Sequence, residues 1–389
     1  MPKSLSFLII TFLMSTTVGF SQQKNSLKVD WKKAAQLQNE DGSLSLGFAG
    51  PINGVHNNVL IVAGGANFPD KMPWEGGKKQ FSKEIHVLEK NGEQYNWNEK
   101  SRVELPEPIA YCGVVSTSCG VVYVGGENEN GLSDKAYILK WNSIKEEIEI
   151  KELPDFPLKI TNIALASINN VIYAIGGDEA AKSSDLVFSL DLNNNASVWK
   201  SEPKLPFALA NSVAVVQNEK EDLNIYVIGG RTKMASGISE LHNTTLSFSM
   251  EKQIWENKAF ISEGKKTTHF SAGAGVPFGK QFIIITGGDN GVTFHKIETF
   301  LSQIANTASE EEKAKLIAEK NILNTTHQGF YNAVLLYDTV KNKWLKIGEL
   351  PFLAHVTTTA LIWNDKIVLS NGEIKPGIRT PDIMLGSVK

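Results

Sequence analysis

Cysteine is scarce in this chain: 389 residues hold two, Cys112 and Cys119. In extended chain their seven-residue separation spans roughly 20 Å, far beyond disulfide reach, so both read as structural thiols rather than a bridge. Charge of one sign is lacking too. A net charge of −3 leaves no basic field, which argues against a nucleic-acid partner. Histidine is sparse, and its seven copies show no ligand-like spacing, so no metal site is expected. Beyond residue 26 no stretch is long and apolar enough to span a membrane.

The N-terminus departs from this pattern. Lys3 supplies a positive start, Leu5–Met14 is apolar, and Gly19 and Ser21 precede the polar Gln22-Gln23-Lys24. That layout predicts a secretory signal peptide over 1–21, with an export destination in the periplasm or outside the cell. No cysteine lies near the cleavage point to take a lipid. The remainder, 22–389, is expected to form one domain.

What is abundant is Gly-Gly at the end of short apolar runs. It occurs at Gly64-Gly65, Gly125-Gly126, Gly176-Gly177, Gly229-Gly230 and Gly287-Gly288, with a degenerate sixth copy at Asn371-Gly372. The spacing, mostly about 50–60 residues, is that of kelch repeats. Each unit has the same grammar. A first strand holds small residues, as in Ile109–Ser116 or Asn211–Val216. A second, apolar on both faces, ends in Gly-Gly where backbones crowd or positive φ is needed. A third strand follows, such as Ile85–Leu88, and a fourth, outer strand carries Trp97, Trp141, Trp199, Trp255 or Trp344.

These signals predict an all-β fold, a six-bladed kelch-type β-propeller. The last unit ends after a third strand near Ile383–Ser387, and its missing tryptophan strand is found at Leu27–Leu37 with Trp31. The N- and C-terminal strands are therefore expected to share one blade, which removes exposed sheet edges. A helical insertion is expected at about 299–321, with Ser309 as N-cap and Glu311–Lys315 as an i,i+4 pair. It falls on the same face as the other loops that follow Gly-Gly, either as decoration or as a lid.

Those loops offer Asn67, Glu127, Asp178, Arg231, Asp289, Asn290 and Glu373. Singly each is an ordinary exposed polar residue; together they converge on the axis. The segment Asn371–Thr380 stands apart, because the Pro376-Gly377 turn sets Glu373 facing Arg379. Such a pair suits an acidic sugar, with arginine gripping a carboxylate and glutamate moving protons. It also suits a plain loop salt bridge.

Asn371-Gly372-Glu373-Ile374-Lys375-Pro376-Gly377-Ile378-Arg379-Thr380 resembles a stretch of the bacterial N-acetylneuraminate epimerases, the sialic acid mutarotases. Gly47-Phe48-Ala49-Gly50 with Ile61–Ala66, and the position of the insertion, are similar as well. The resemblance implies an exported six-bladed propeller that interconverts the α and β anomers of N-acetylneuraminate, with no cofactor or metal. It implies Glu373 as the proton-transferring residue and Arg379 as its partner at the substrate. Asn67, Asp178, Arg231 and Asn290 are the further candidates for substrate binding. The Glu373 stretch is C-terminal here, where the family's best-known form has it mid-chain, which implies a cyclically permuted member.

Other propeller chemistries fit less well. A kelch copper oxidase needs a cysteine-modified tyrosine and histidine ligands, and a sialidase needs an arginine triad with repeated Ser-x-Asp motifs. Neither pattern is present. The serious alternative is a non-catalytic propeller that binds a glycan or a protein.

Overall fold

The computed structural model describes residues 27–389 apart from Glu40, Glu99 and Arg102. The expected signal segment, 1–21, lies outside the described residues. No helix among the described residues is long and apolar enough to cross a membrane.

Six four-stranded antiparallel sheets form the blades of a β-propeller. The first comprises Ile52–His56, Val59–Ala63, Ile85–Asn91 and Gln94–Trp97, paired in that order from axis to rim. The next four repeat the plan, beginning at Gly113, Ala164, Val213 and Ala274. The sixth comprises Ala360–Trp363, Lys366–Ser370 and Asp382–Val388, completed at its rim by Val29–Gln36 from the start of the described chain. Trp31 lies opposite Gly386 and Gln36 opposite Asp382 in that last pairing. The innermost strands touch their neighbours right round the ring.

The core is divided into packets between successive blades, because each second strand buries both faces. Ile61 packs on the side of the second blade, whereas Leu60 and Val62 face the sixth. All three are fully buried, and each such side chain contributes about 1.5–3 kcal/mol. At the rim, indole N–H groups of one blade donate to carbonyls of the blade before. Trp97 donates to Gln36, Trp199 to Pro154 and Trp255 to Pro203, all within 2.9 Å.

Both reasons for the glycines hold. The first glycine of each regular pair has φ between 58° and 71°. A Cβ there would lie 2.0–2.6 Å from a carbonyl oxygen of the following blade. The second glycine donates its N–H to that same oxygen, as Gly230 does to Phe270 at 2.8 Å. The irregular sixth copy makes the same joint: Asn371 takes φ 58° and Gly372 donates to Phe48 at 2.7 Å, which closes the ring. Asparagine tolerates this left-handed region better than most residues, and its Oδ1 also accepts the Phe48 N–H at 3.1 Å.

Three expectations need correction. Trp141 lies on the third strand of its blade, Ala136–Asn142, not on the outer strand; Glu147–Glu152, the outer strand, has no tryptophan. The Trp141 indole is buried at that third-strand position, opposite Ile148 of the outer strand. The insertion is larger than 299–321 and forms two helices, α1 (Phe294–Asn306) and α2 (Glu310–Thr325). Ser309 does cap α2, accepting the Glu312 N–H, but the ion pair in that helix joins Lys313 to Glu310 at 3.8 Å rather than Glu311 to Lys315. Finally, Ile109–Ser116 is not one strand. Regular pairing begins at Gly113, and the residues before it run to the axis.

Both cysteines are free thiols. Cys112 sits just before the Gly113 strand and donates to Gly125 at 3.1 Å, and burial pushes its thiol well above the ordinary range.

Candidate functional site

The site is built on two concentric sets of backbone bonds. The residue after each Gly-Gly, or after Asn371-Gly372, pairs with a residue just ahead of the first strand of the same blade. These are Ala66, Glu127, Asp178, Arg231, Asp289 and Glu373, paired with Ala49, Ala110, Thr161, Ala210, Ser271 and Val356. Six equivalent positions are thereby fixed around the axis, and five of them carry an ionisable side chain.

One residue further in, Gly50, Tyr111, Asn162, Asn211, Ala272 and Thr357 all adopt left-handed backbone, with φ from 51° to 62°. This conformation turns each peptide tangentially, so the six bond head to tail. Tyr111 N–H donates to Gly50, Asn162 to Tyr111, Asn211 to Asn162, Ala272 to Asn211, Thr357 to Ala272 and Gly50 to Thr357, at 2.7–3.0 Å. This closed ring separates an axial channel of about 350 Å³, lined by the innermost strands, from an upper cavity of about 660 Å³.

Glu373 and Arg379 meet as the Pro376-Gly377 turn predicts. They are paired residues in a short hairpin, and Gly377 takes φ 76° at its tip. The Gly377 N–H donates to Glu373 Oε1 at 2.7 Å, and Arg379 Nη1 lies 3.7 Å from the same oxygen. Burial pushes the Glu373 carboxyl above its ordinary range, against the pull of Arg379, the Gly377 N–H and Lys79. Arg379 is 8% exposed and stacks over the Phe68 ring at 4.8 Å. Its Nε and Nη1 are buried without a partner in hydrogen-bond geometry, Glu373 being at ion-pair distance only. Buried donors left unused cost about 1–3 kcal/mol each, so an acceptor brought to them would recover that cost.

Tyr111 and Lys79 complete this side. Lys79 Nζ lies 4.7 Å from the centre of the Tyr111 ring and bonds Glu127 at 3.0 Å. Burial pushes the Tyr111 phenol up, while Lys79 and Arg379 pull it back and Glu373 adds to the rise.

Across the upper cavity, Asp178 is buried and fully occupied. It accepts from Arg231 Nη2 at 2.6 Å, Ser183 at 2.9 Å and Asn162 at 3.1 Å, with Lys233 Nζ at 3.7 Å. Arg231 and Lys233, held by it, line the cavity. Asp289 lies there as well, its carboxyl raised by burial against the Gly291 N–H, His327 and His295. His327 Nδ1 accepts the Gly329 N–H at 3.1 Å, which makes it a neutral ring with the proton on Nε2. The α1 helix forms one wall through Phe294, Ile297 and Leu301. Glu298 ties it down, accepting from the Ser239 N–H and hydroxyl at 2.8 and 2.7 Å.

Of the residues expected from sequence, Glu373, Arg231 and Asp289 line the upper cavity, and Arg379 stands behind Glu373. Asp178 does not face the cavity; it positions Arg231. Asn67 and Asn290 each fall one residue beyond the equivalent axial position. Asn67 donates to the Gly47 carbonyl of the segment ahead of the first blade, and Asn290 accepts the Val292 N–H in a local turn, so both serve the backbone. Tyr111, Lys79, Phe68, Lys233, Glu298 and His327 were missed as site residues. Tyr111 alone had a signal: it follows Ala110 in register with Asn162 and Asn211, a bulky residue where other repeats have small ones.

A family model described as N-acetylneuraminate epimerase matches residues 13–148 and 153–389. The N-acetylneuraminate epimerase of Salmonella typhimurium strain LT2 is 30% identical over 232 residues, which is 59% of this chain and 56% of that protein. The Salmonella typhi protein of the same description is 31% identical over the same extent. That of Yersinia pestis strain Pestoides F is 25% identical over 238 residues, 61% of this chain and 57% of its own length. The chain therefore aligns with little more than half the length of these curated relatives.

Proposed function

The chain belongs to the N-acetylneuraminate epimerase family, and from that premise we propose that it interconverts the α and β anomers of N-acetylneuraminate by acid–base ring opening and reclosure. One observation carries the reading. A guanidinium with two unused buried donors stands beside a carboxyl that burial has raised, at the rim of the upper cavity on the propeller axis.

The reaction needs the anomeric hydroxyl proton removed, the ring oxygen protonated, the exposed keto group rotated, and the ring reclosed on the other face. Glu373 takes the anomeric proton. A raised carboxyl pKa brings it nearer the operating pH and makes it a better base. Arg379 receives the substrate carboxylate, or charge developing on oxygen, in charge-assisted bonds from Nε and Nη1. Arg231 and Lys233 add positive charge on the far wall. A permuted chain order is part of the proposal, since the closed ring makes blade contacts independent of where the chain begins.

The test is NMR of freshly released α-N-acetylneuraminate. Wild type should speed anomer exchange well above the spontaneous rate, and Glu373→Gln should cut that enhancement about 100-fold or more. A folded Glu373→Gln protein as fast as wild type refutes the role of Glu373. A wild-type protein that binds the sugar without speeding exchange points instead to a binding module.

A further inference from the structure

Resting on the anomer-exchange reading, we infer that Tyr111 is a second proton-transfer residue, delivering its phenolic proton to the ring oxygen of the sugar while Glu373 takes the anomeric one.

The first support is conformational. Five of the six positions in the axial ring hold Gly50, Asn162, Asn211, Ala272 and Thr357, all small. Only Tyr111 is aromatic; its φ of 58° costs about 1–2 kcal/mol, a strain that β-branched Thr357 at φ 51° shares, so it is the large side chain that sets position 111 apart. Nothing in the ring's backbone bonding asks for an aromatic there. Strain of this kind persists where the surroundings over-determine it, and it clusters at functional sites. The surroundings here are fitted to the ring: a Cβ on Gly50 would come within 2.5 Å of Tyr111 Cδ1, so that position has room only for glycine.

The second support is placement. The phenol shares the field of Lys79, Arg379 and Glu373, and Lys79 is itself held against the aromatic face by Glu127. Glu373 has one oxygen engaged by Gly377, which leaves one free to exchange a proton. A single free oxygen serves the anomeric hydroxyl; the ring oxygen needs another group.

The step balances without a co-reactant. Glu373 accepts the anomeric O–H proton, the carbon–ring-oxygen bond breaks, and its electron pair takes the Tyr111 proton, giving the open keto form, a protonated Glu373 and a Tyr111 phenolate. Lys79 and Arg379 stabilise that phenolate. After the keto group turns, the ring hydroxyl returns its proton to Tyr111 and attacks the carbonyl, whose oxygen takes the proton from Glu373. At rest the phenol holds its proton, because burial raises it.

Tyr111→Phe and Tyr111→Asn separate the outcomes, measured for exchange rate, KM, pH profile and unfolding midpoint beside wild type and Glu373→Gln. The expected result for Tyr111→Phe is about a 100-fold loss in kcat with KM and midpoint little changed. The fall in wild-type rate at alkaline pH, where the phenol ionises, should vanish. Tyr111→Asn should lose a similar factor and still fold, since asparagine holds the same conformation at 162 and 211. Full exchange in either folded variant, with wild type active and Glu373→Gln impaired, overturns the inference and leaves the anomer-exchange reading standing. Raised KM with lowered midpoint and an unchanged pH profile in both variants assigns a structural role, and overturns it too. A wild-type protein that speeds no exchange overturns both readings.

Discussion

His355 should make the propeller acid-labile within a defined window. It is 3% exposed, its Nδ1 has no hydrogen-bond partner, and its carbonyl accepts Gly288 N–H at 3.3 Å in the joint between the fifth and sixth blades. Burial lowers its pKa from 6.5 to about 4, although Asp382 and the Asn371 backbone oppose the shift. The folded state therefore resists a proton that the unfolded chain accepts. Above pH 6.5 neither form is protonated, and the full stability is present. Between 6.5 and about 4 only the unfolded chain binds the proton, so stability falls as pH falls, at up to about 1.4 kcal/mol per pH unit. Over the whole window that is roughly 3 kcal/mol, a large share of a typical domain's 5–15 kcal/mol. The assay is urea unfolding from pH 7 to 4 on wild type and His355→Gln, reading the difference so that carboxylate contributions cancel. The variant should lose less stability than wild type across that range. Equal losses would refute the reasoning.

Gly229→Ala should destabilise far more than Gly264→Ala, though both glycines have positive φ. A Cβ at 229 would lie 2.0 Å from the Phe270 oxygen that also accepts the Gly230 N–H, whereas one at 264 meets nothing within 4 Å. Backbone strain plus a lost buried hydrogen bond gives about 3 kcal/mol at 229 against about 1 at 264, read from unfolding midpoints; equal shifts would sink the docking account. Arg231→Gln should cost about 3 kcal/mol, near the lower end for breaking a buried ion pair, because Lys233, Ser183 and Asn162 still face Asp178. Asp178→Asn added to Arg231→Gln should restore part of it, and a purely additive double variant would show that the pair is not coupled.

The blade plan was legible because each cue answered a strong physical demand. Gly-Gly marks a joint where a following carbonyl excludes a side chain. The shared last blade follows from a missing rim strand. Glu373 facing Arg379 follows from the turn at Pro376-Gly377. What escaped the sequence depends on contacts across blades. Trp141 packs between the first two blades from a third strand, and composition does not reveal which of the two outer strands holds the indole. Asp178 reads as one more loop carboxylate until Asn162 and, from the next blade, Arg231 join Ser183 of its own loop around it. Lys79 and Tyr111, 32 positions apart, meet only because the ring brings neighbouring blades together.

Pseudo-symmetry explains why a repeat alone cannot single out the reacting carboxyl. Glu127, Asp178, Asp289 and Glu373 occupy equivalent backbone positions, so any difference among them is imposed by neighbours. Asp178 is neutralised by Arg231 and Lys233, and Glu127 is spent on Lys79. Two carboxyls remain whose burial raises them, Asp289 and Glu373. Each accepts one backbone N–H, Asp289 from Gly291 at 2.6 Å and Glu373 from Gly377 at 2.7 Å, and Asp289 lies in the field of His327 and His295. Glu373 instead adjoins a buried guanidinium with two donors unspent and a tyrosine held in a costly conformation. On the proposed reading, an anion bound beside Glu373 would give the two unspent Arg379 donors an acceptor. The backbone ring makes the six positions equivalent, and the unspent donors beside Glu373 are why the proposal places the proton transfer there.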